Sequence, residues 1–593
     1  MICRLKLFQR QIRSFSTVLP RLVDSVSGEL KVIQQKGKTL SWYSCGPTVY
    51  DSSHVGHART YVQIDLLQRI LSRRFGMNIH SAMGITNIDD KIINKSRQTM
   101  IPWQEIASRY EEEFINDMQR LNVKMPMSVV RVSDMIPEIV DYIRVLEDKG
   151  IAYKTSSGIY FDTQSSLYKY EKLVPSISDV ESQSRLAQDP EKRHPRDFAL
   201  WKRADDIDYS WDSPWGRGRP GWHIECSVNC HSLFGDHLDV HAGGIDLRFP
   251  HHCNEIAQCE AYSGGGGGAW CDMMLHIGHI FIEGRKMSKS LKNFITIDQL
   301  LQTYSANDFR MFCMLNHYSA RIQLDDNGLV EAQRQWKALE ASIHRVQTEL
   351  SKGSRFGDSD SRVVRRWLEK WNETKTKIDE SLANDSNTRQ VVSETQNLLH
   401  EIEKCLLENR QALAGRVASL IANEMIDLYT DLGFVFDAKP TEMRDKEMID
   451  ALCEFRSAVR TICLKDTHSE VSREVLQACD ALRQSASDRF GITIIDGKSD
   501  VRWVVGPLPK KQPKKAKQEG LNPSVPPSEM FLGNSEFSAF DKEGIPTHDK
   551  DGKPLSASRL KKLRKQYATH SLIHSKWLEQ KKRCVCLLVD TTR

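Results

Sequence analysis

No stretch of this 593-residue sequence approaches the unbroken apolar run of about 20 residues that a membrane-spanning helix needs. The expectation is a soluble protein with no membrane partner. The 14 cysteines include no Cys-x-x-Cys pair, which argues against a disulfide framework. Cys313, Cys405, Cys453, Cys463 and Cys479 sit in apolar or helix-like contexts and read as free thiols of a reducing compartment. Asp and Glu are missing altogether from Met1 to Val23, where Arg4, Lys6, Arg10, Arg13 and Arg21 supply only positive charge. Leu5, Phe8 and Ile12 fall there at helical spacing, and Ser14-Phe15-Ser16-Thr17 follows. An acid-free, basic, Ser-containing amphipathic lead has the character of a mitochondrial transit peptide, so residues 1–23 are expected to direct the chain to the mitochondrial matrix. The lack of a continuous apolar core after the charges speaks against a secretory signal.

What is present is ordinary for a globular chain, with 40% apolar and 27% charged residues and a net charge of +5. The length calls for several domains. From Leu40 to about Cys313, short apolar runs alternate with helical stretches, the pattern of an α/β sheet domain. Leu40 to Cys45 reads as a strand, Val62 to Leu71 as an amphipathic helix after a loop, and His80 to Ile85 as the next strand of a βαβ unit. Residues 100–195 are charged and partly helical, with a turn-rich end around Ser176 to His194, and read as an insertion. Beyond about Asp326 the pattern is helical: Trp336, Leu339, Ile343, Val346 and Leu350 alternate steps of three and four. Pro507 to Lys517 is a Pro/Lys linker, and a basic helix, Ala557 to Lys582, lies near the end.

Two segments carry chemistry. His54-Val55-Gly56-His57 falls in the loop between the first strand and its helix, where unpaired backbone N–H groups favour an anion and Gly56 lets a purine or phosphate come close. Lys286-Met287-Ser288-Lys289-Ser290 follows an apolar run and a turn. Two lysines on a loop can offset the charge that builds as pyrophosphate leaves ATP. The pair predicts an enzyme that activates a carboxylate with ATP, with His54, His57, Lys286 and Lys289 as catalytic candidates.

These segments resemble the signature pair of class I aminoacyl-tRNA synthetases, which form an aminoacyl-adenylate and pass the acyl group to tRNA. The strings from Leu40 to Lys95, from Asp197 to His279 and around Lys286 are similar to the cysteinyl-tRNA synthetase branch, including forms that work in mitochondria. The resemblance implies a Rossmann-like nucleotide-binding catalytic domain with an insertion, then an α-helical anticodon-binding bundle and a basic tail. It implies that Cys45, Cys226, His251 and Glu255 hold one Zn2+ per chain, joined by the substrate thiolate. Gly56, His57, Gly243, Gly244, Asp246 and Lys289 would contact ATP, with Mg2+ accompanying it, and Thr48, Thr86 and Trp222 would line the amino-acid pocket. The partners are tRNA(Cys), ATP and L-cysteine, and a monomer is expected.

Zinc suits the problem, since cysteine and serine differ by one atom and shape alone separates near-isosteres poorly. A thiolate-seeking metal discriminates between them directly. One departure stands out: Cys253 occupies a position that is usually Glu in the family, between two implied ligands, and Cys230 lies four residues after a third. Either thiol is a competitor for the metal, and His252 reads as structural or substrate-side. The implied division is a lead at 1–23, catalytic halves at 24–99 and 196–326 around the insertion at 100–195, the bundle at 327–490, and a linker and extension at 491–593. Two rivals are a ligase joining activated cysteine to a sugar amine, which lacks a full anticodon-binding domain, and a non-catalytic RNA-binding relative, in which damage around His57 or Lys289 is expected. A fluorescent fusion carrying Met1–Val23 is expected to accumulate in mitochondria; a fusion that stays in the cytosol contradicts the targeting assignment.

Overall fold

The structure is a computed structural model. It describes residues 18–575 except 166–169, 171, 174–189, 265–268, 283–284, 287–293, 352–355, 437–442, 465–469, 491, 497–500, 506–524, 533–535, 557, 569 and 572–573. The chain divides into two units, Met1–Pro507 and Leu508–Arg593.

The first unit is organised by five parallel strands. They are β1 (Leu40–Thr48), β2 (Ile79–Thr86), β3 (Ser128–Arg131), β4 (Leu238–Gly244) and β5 (Cys271–Ile277), in the spatial order β5-β4-β1-β2-β3. Helix α1 (Val55–Arg73) connects β1 to β2, while α2 (Ile224–Phe234) precedes β4 and α3 (Cys253–Ser263) leads into β5. Strand β1 is central and apolar on both faces, as a strand covered on two sides must be. Trp42 packs with Val62 and Leu66 of α1 on one side, and Tyr43 packs with Cys226, Cys230 and Ile256 of α2 and α3 on the other. Strand order reverses between β1 and β4, and in an open parallel sheet a ligand crevice forms outside the carboxyl ends at such a point.

The Rossmann-like class is as expected, and three details differ from the sequence reading. Helix α1 starts at Val55, so His54-Val55-Gly56-His57 is its N-cap and first turn and not a connecting loop. The sheet reaches into the 100–195 stretch, because its edge strand β3 comes from there. Three half-buried residues and an exposed one (SVVR) carry too little apolar signal to announce a strand. The excursion between β3 and α2 also holds helix Ile136–Asp148 and an antiparallel sheet of Ala152–Lys154, Gly158–Phe161, Phe198–Arg203 and Gly218–Pro220. Finally, Arg21–Val23 pairs with Leu30–Val32, and Leu22 is buried in the main core. Asp385 accepts a hydrogen bond from the Val23 N–H and donates its own N–H to the Arg21 carbonyl. A removable lead therefore has to end before Leu22; residues 1–17 lie outside the described residues.

Helices Asp326–Ser351, Ser361–Ala383, Thr388–Glu408, Gly415–Asp431, Met443–Cys463 and Glu470–Phe490 follow. The stripe Trp336, Leu339, Ile343 and Val346 is buried in the same core as α1 and β5, so sheet and helices share one apolar interior. In the second unit, strands Phe537–Phe540 and Pro546–Asp549 pair, and residues 558–568 are helical. Phe531, Ile545, Leu555 and Leu563 form its small core.

Arg310 holds α1 in place from below. Its guanidinium donates to Asp65 of α1 at 2.6 Å and to the carbonyls of Leu121, Asn122 and Leu432, and the ion pair is almost wholly out of solvent. Removing one member strands a buried charge, which typically costs about 3–5 kcal/mol. Asp65→Ala is thus expected to lower the stability of the first unit by about that much in urea unfolding; a loss below about 1 kcal/mol contradicts this account.

Candidate active site

A cavity of about 630 Å³ opens at the carboxyl ends of the strands. Cys45 to Thr48 of β1, Thr86 of β2, Gly244 of β4 and Ile277 of β5 reach it, together with Gly56 and His57 at the start of α1. Strand β1 turns close to β2 there: a side chain on Gly46 would meet the Gly84 carbonyl at 2.2 Å. Only glycine permits that approach.

At the mouth, the two histidines cap their own helix reciprocally. His54 Nδ1 accepts the Gly56 N–H at 3.1 Å and His57 Nδ1 accepts the His54 N–H at 3.3 Å, with the rings stacked at 3.9 Å. In a neutral imidazole, an accepting Nδ1 places the proton on Nε2. Both rings thereby stand beside a helix N-terminus as donors, an arrangement suited to a phosphate. Asp246 and Gly244 line the same cavity, whereas Gly243 does not. Gly243 instead makes room for His252, whose ring lies 2.7 Å from where its Cβ would stand. Lys286 is placed by backbone in the two-residue strand Arg285–Lys286, paired with Ile280–Ile282, and Lys289 lies outside the described residues.

On the inner wall, Cys45, Cys226, His251 and Glu255 come together with their donor atoms all within 4.8 Å of one another, and all four are buried. The sulfurs of Cys45 and Cys226 are 3.6 Å apart, Cys45 Sγ is 3.6 Å from Glu255 Oε1, and His251 Nε2 is 3.1 Å from the same oxygen. The helix α3 begins only at Cys253, but the irregular turn before it keeps His251 one turn from Glu255. Cys45, Cys226 and His251 face the cavity. Hence a small substrate could bring a further ligand to the group from that side.

The electrostatics fit a cation. Burial pushes the Cys45 thiol well up, while the Cys45 hydrogen bond holds Cys226 down toward the thiolate. Burial disfavours a charged His251, yet the neighbouring Glu255 and Cys226 raise it above the usual imidazole range. Two thiolate-capable sulfurs, an imidazole and a carboxylate are an appropriate donor set for tetrahedral Zn2+.

The surroundings were less visible in the sequence. His241 Nε2 lies 2.8 Å from Glu255 Oε2, and His252 Nε2 is 3.4 Å from Cys45 Sγ. A second donor group, Cys45, His241, His252 and Glu255, therefore overlaps the first. It lies away from the cavity except at Cys45. Burial and the neighbouring imidazoles push His252 well below its usual range, and it meets His276 at 2.7 Å. Such rings orient Glu255 and its neighbours from behind. The only sequence hint was the density of histidine around 241–252. Thr86 donates to the buried Glu225 carboxylate at 2.7 Å, and the Trp222 ring lies tilted against His251 with centroids 4.5 Å apart.

Cys253 and Cys230 belong to no close donor group among the described residues. Cys253 turns away, donating to the Lys172 carbonyl at 2.9 Å, and burial lifts its pKa to about 12. Its sulfur is thus directed away from the group formed by Cys45, Cys226, His251 and Glu255.

A family model described as tRNA synthetases class I (C) catalytic domain matches residues 31–334. A relative from Dictyostelium discoideum named cysteine–tRNA ligase, cytoplasmic, is 33% identical over 92% of this chain and 89% of its own length. The chain belongs to the cysteine–tRNA ligase family. It is accordingly an enzyme of the class I aminoacyl-tRNA synthetases. A Xenopus tropicalis relative named probable cysteine–tRNA ligase, mitochondrial, is 36% identical, covering 78% of this chain and 85% of the relative. A ternary LeuRS–tRNA–LeuAMS complex from Agrobacterium radiobacter K84 shares the fold at TM-score 0.50 and 11% identity, over 73% of this chain and 87% of that one.

Cys253→Ala is expected to leave bound-metal stoichiometry and cysteine-dependent ATP–pyrophosphate exchange unchanged. Loss of metal in that variant would show that the thiol takes part after all.

Proposed function

We propose that the enzyme joins L-cysteine to tRNA(Cys) through a cysteinyl-adenylate in mitochondrial translation, with one Zn2+ per chain selecting the substrate thiolate. The observation that carries this reading is the shared cavity: Cys45, Cys226 and His251 line it together with His54, Gly56 and His57. Amino-acid selection and ATP binding thus meet in one space. When bound, zinc supplies a soft Lewis-acidic centre that prefers sulfur to oxygen. Cys45, Cys226, His251 and Glu255 would hold it.

The chain's own groups do the rest. Thr48, Thr86 and Trp222 border the place of the amino acid and hold its backbone near the nucleotide. Gly56, Gly244 and Asp246 admit and orient the adenosine moiety, with Gly243 acting through His252. His54 and His57 donate from Nε2 to the α-phosphate region as the cysteine carboxylate attacks and pyrophosphate leaves. Lys286 and Lys289 offset the charge on the departing pyrophosphate, accompanied by Mg2+. Residues 327–490 would bind the anticodon stem, chiefly through phosphate contacts, which makes tRNA affinity salt-dependent. The basic helix of the extension is a candidate second contact, and the active form would be a monomer. Mitochondrial relatives and the acid-free lead support the location, with the lead ending before Leu22.

The test is ATP–pyrophosphate exchange with cysteine or serine, before and after zinc removal. Exchange should require cysteine, be lost on zinc removal and return with added Zn2+. Exchange that survives metal loss, or that accepts serine comparably, overturns zinc selection. Aminoacylation of mitochondrial and cytosolic tRNA(Cys) then reports which is charged.

A further inference from the structure

Arg59 lies one turn into α1, two residues after His57, and is almost completely buried. It makes no ion pair with a carboxylate among the described residues. Instead it donates to five main-chain carbonyls: those of Gly278 at 2.6 Å and His279 at 2.8 Å from one nitrogen, and those of His317, Tyr318 and Ala320 at 3.2, 3.3 and 2.6 Å from the other. Burial lowers its pKa to about 10, which still leaves it charged at neutral pH.

A buried charge without a counter-ion is costly, and apolar packing would hold a helix against a loop at less cost. The carbonyls explain what the charge does. Gly278 has no room for a side chain, since a Cβ there would meet the Ala320 and Ser319 carbonyls at 2.1 and 2.5 Å. Two backbone segments are thus pressed together, with the Gly278 N–H bonded to Tyr318 and the Ile322 N–H bonded to His279. Carbonyl dipoles crowded toward one point repel one another, and a planar guanidinium with two forked N–H groups offsets that repulsion. Gly278 and His279 line the cavity. The strand that follows them, Ile280–Ile282, pairs with both Ile322–Gln323 and Arg285–Lys286.

We propose that Arg59 is a positioning residue for adenylation: it fixes the Gly278–His279 wall of the nucleotide pocket, and the strand leading to Lys286, at a set distance from the His54–His57 turn. It acts through those backbone segments and touches no substrate. Tyr318 and His317 continue the tie to the helical region, since both side chains bond Asp385. This inference rests on the cavity being the ATP site.

Arg59→Met and Arg59→Lys test it in the full-length enzyme. Expected for Arg59→Met is a drop in kcat of about tenfold or more and a raised KM for ATP, because misplacement by an ångström is enough for such losses. The KM for cysteine and the bound zinc should remain within about twofold of the original, since the metal donors come from β1, α2, α3 and the turn before α3. Arg59→Lys, which reaches fewer of the carbonyls, should recover part of the loss. Calorimetric ATP binding is measured alongside, because it responds to the pocket wall whichever amino acid is activated. Weaker ATP binding with an original-like zinc content supports the proposal even if exchange with cysteine fails in the parent enzyme, an outcome that would instead count against the functional reading. A variant that only unfolds at lower temperature, with unaltered kinetics and ATP binding per folded molecule, overturns it. If Arg59→Met is insoluble, Arg59→Lys decides alone, and parent-like ATP parameters in that variant overturn the proposal.

Discussion

Glu255 has no solvent contact, and a carboxylate without water must be satisfied by what surrounds it. Its two oxygens meet His241 at 2.8 Å, His251 at 3.1 Å and Cys45 at 3.6 Å, from β4, the turn before α3, and β1. The arrangement is possible only because β4 lies beside β1, the point at which the order of strands reverses. Sheet topology and the donor group are in this sense one constraint. Any slip of β1 against β4 would take Cys45 away from Glu255 and its two histidine partners, and so break up the donor group.

Helix α1 carries the second half of the site and is locked along its length. Its first turn is closed by its own two histidines, Arg59 ties it to the pocket wall, and Asp65 ties it to Arg310. Sites built on rigid elements hold their geometry better than sites on loops. Here the His54–His57 end of the cavity is set by one helix, and Cys45 at its inner wall by the strand that leads into it.

Much of this was legible beforehand, and the failures have physical causes. The parallel sheet and the stripe Trp336, Leu339, Ile343 and Val346 follow from apolar periodicity, which needs only local information. Strand β3 escaped because four residues, none of them fully buried, give no period. The start of α1 was misplaced because the cap is a histidine, an uncommon choice, while the usual cap residues Asp51, Ser52 and Ser53 stand just before it. Leu22 lies in an otherwise basic lead and gave no sign that it enters the core. Gly243 and Cys253 show the same limit: a motif identifies a position, but its side-chain direction depends on neighbours far away in sequence.

What the sequence determined by itself is chemical: an ATP-handling signature, an α/β scaffold, and strings whose Cys, His and Glu are right for a sulfur-seeking metal. Which thiols converge was decided only by the tertiary structure. Cys45 is separated from Cys226 by 181 residues and from Glu255 by 210, so no spacing rule reaches them. Cys253 lies two residues from Glu255 and yet points elsewhere, because successive residues of a helix diverge by about 100°. Proximity along the chain and proximity in space are different quantities, and a metal site depends on the second.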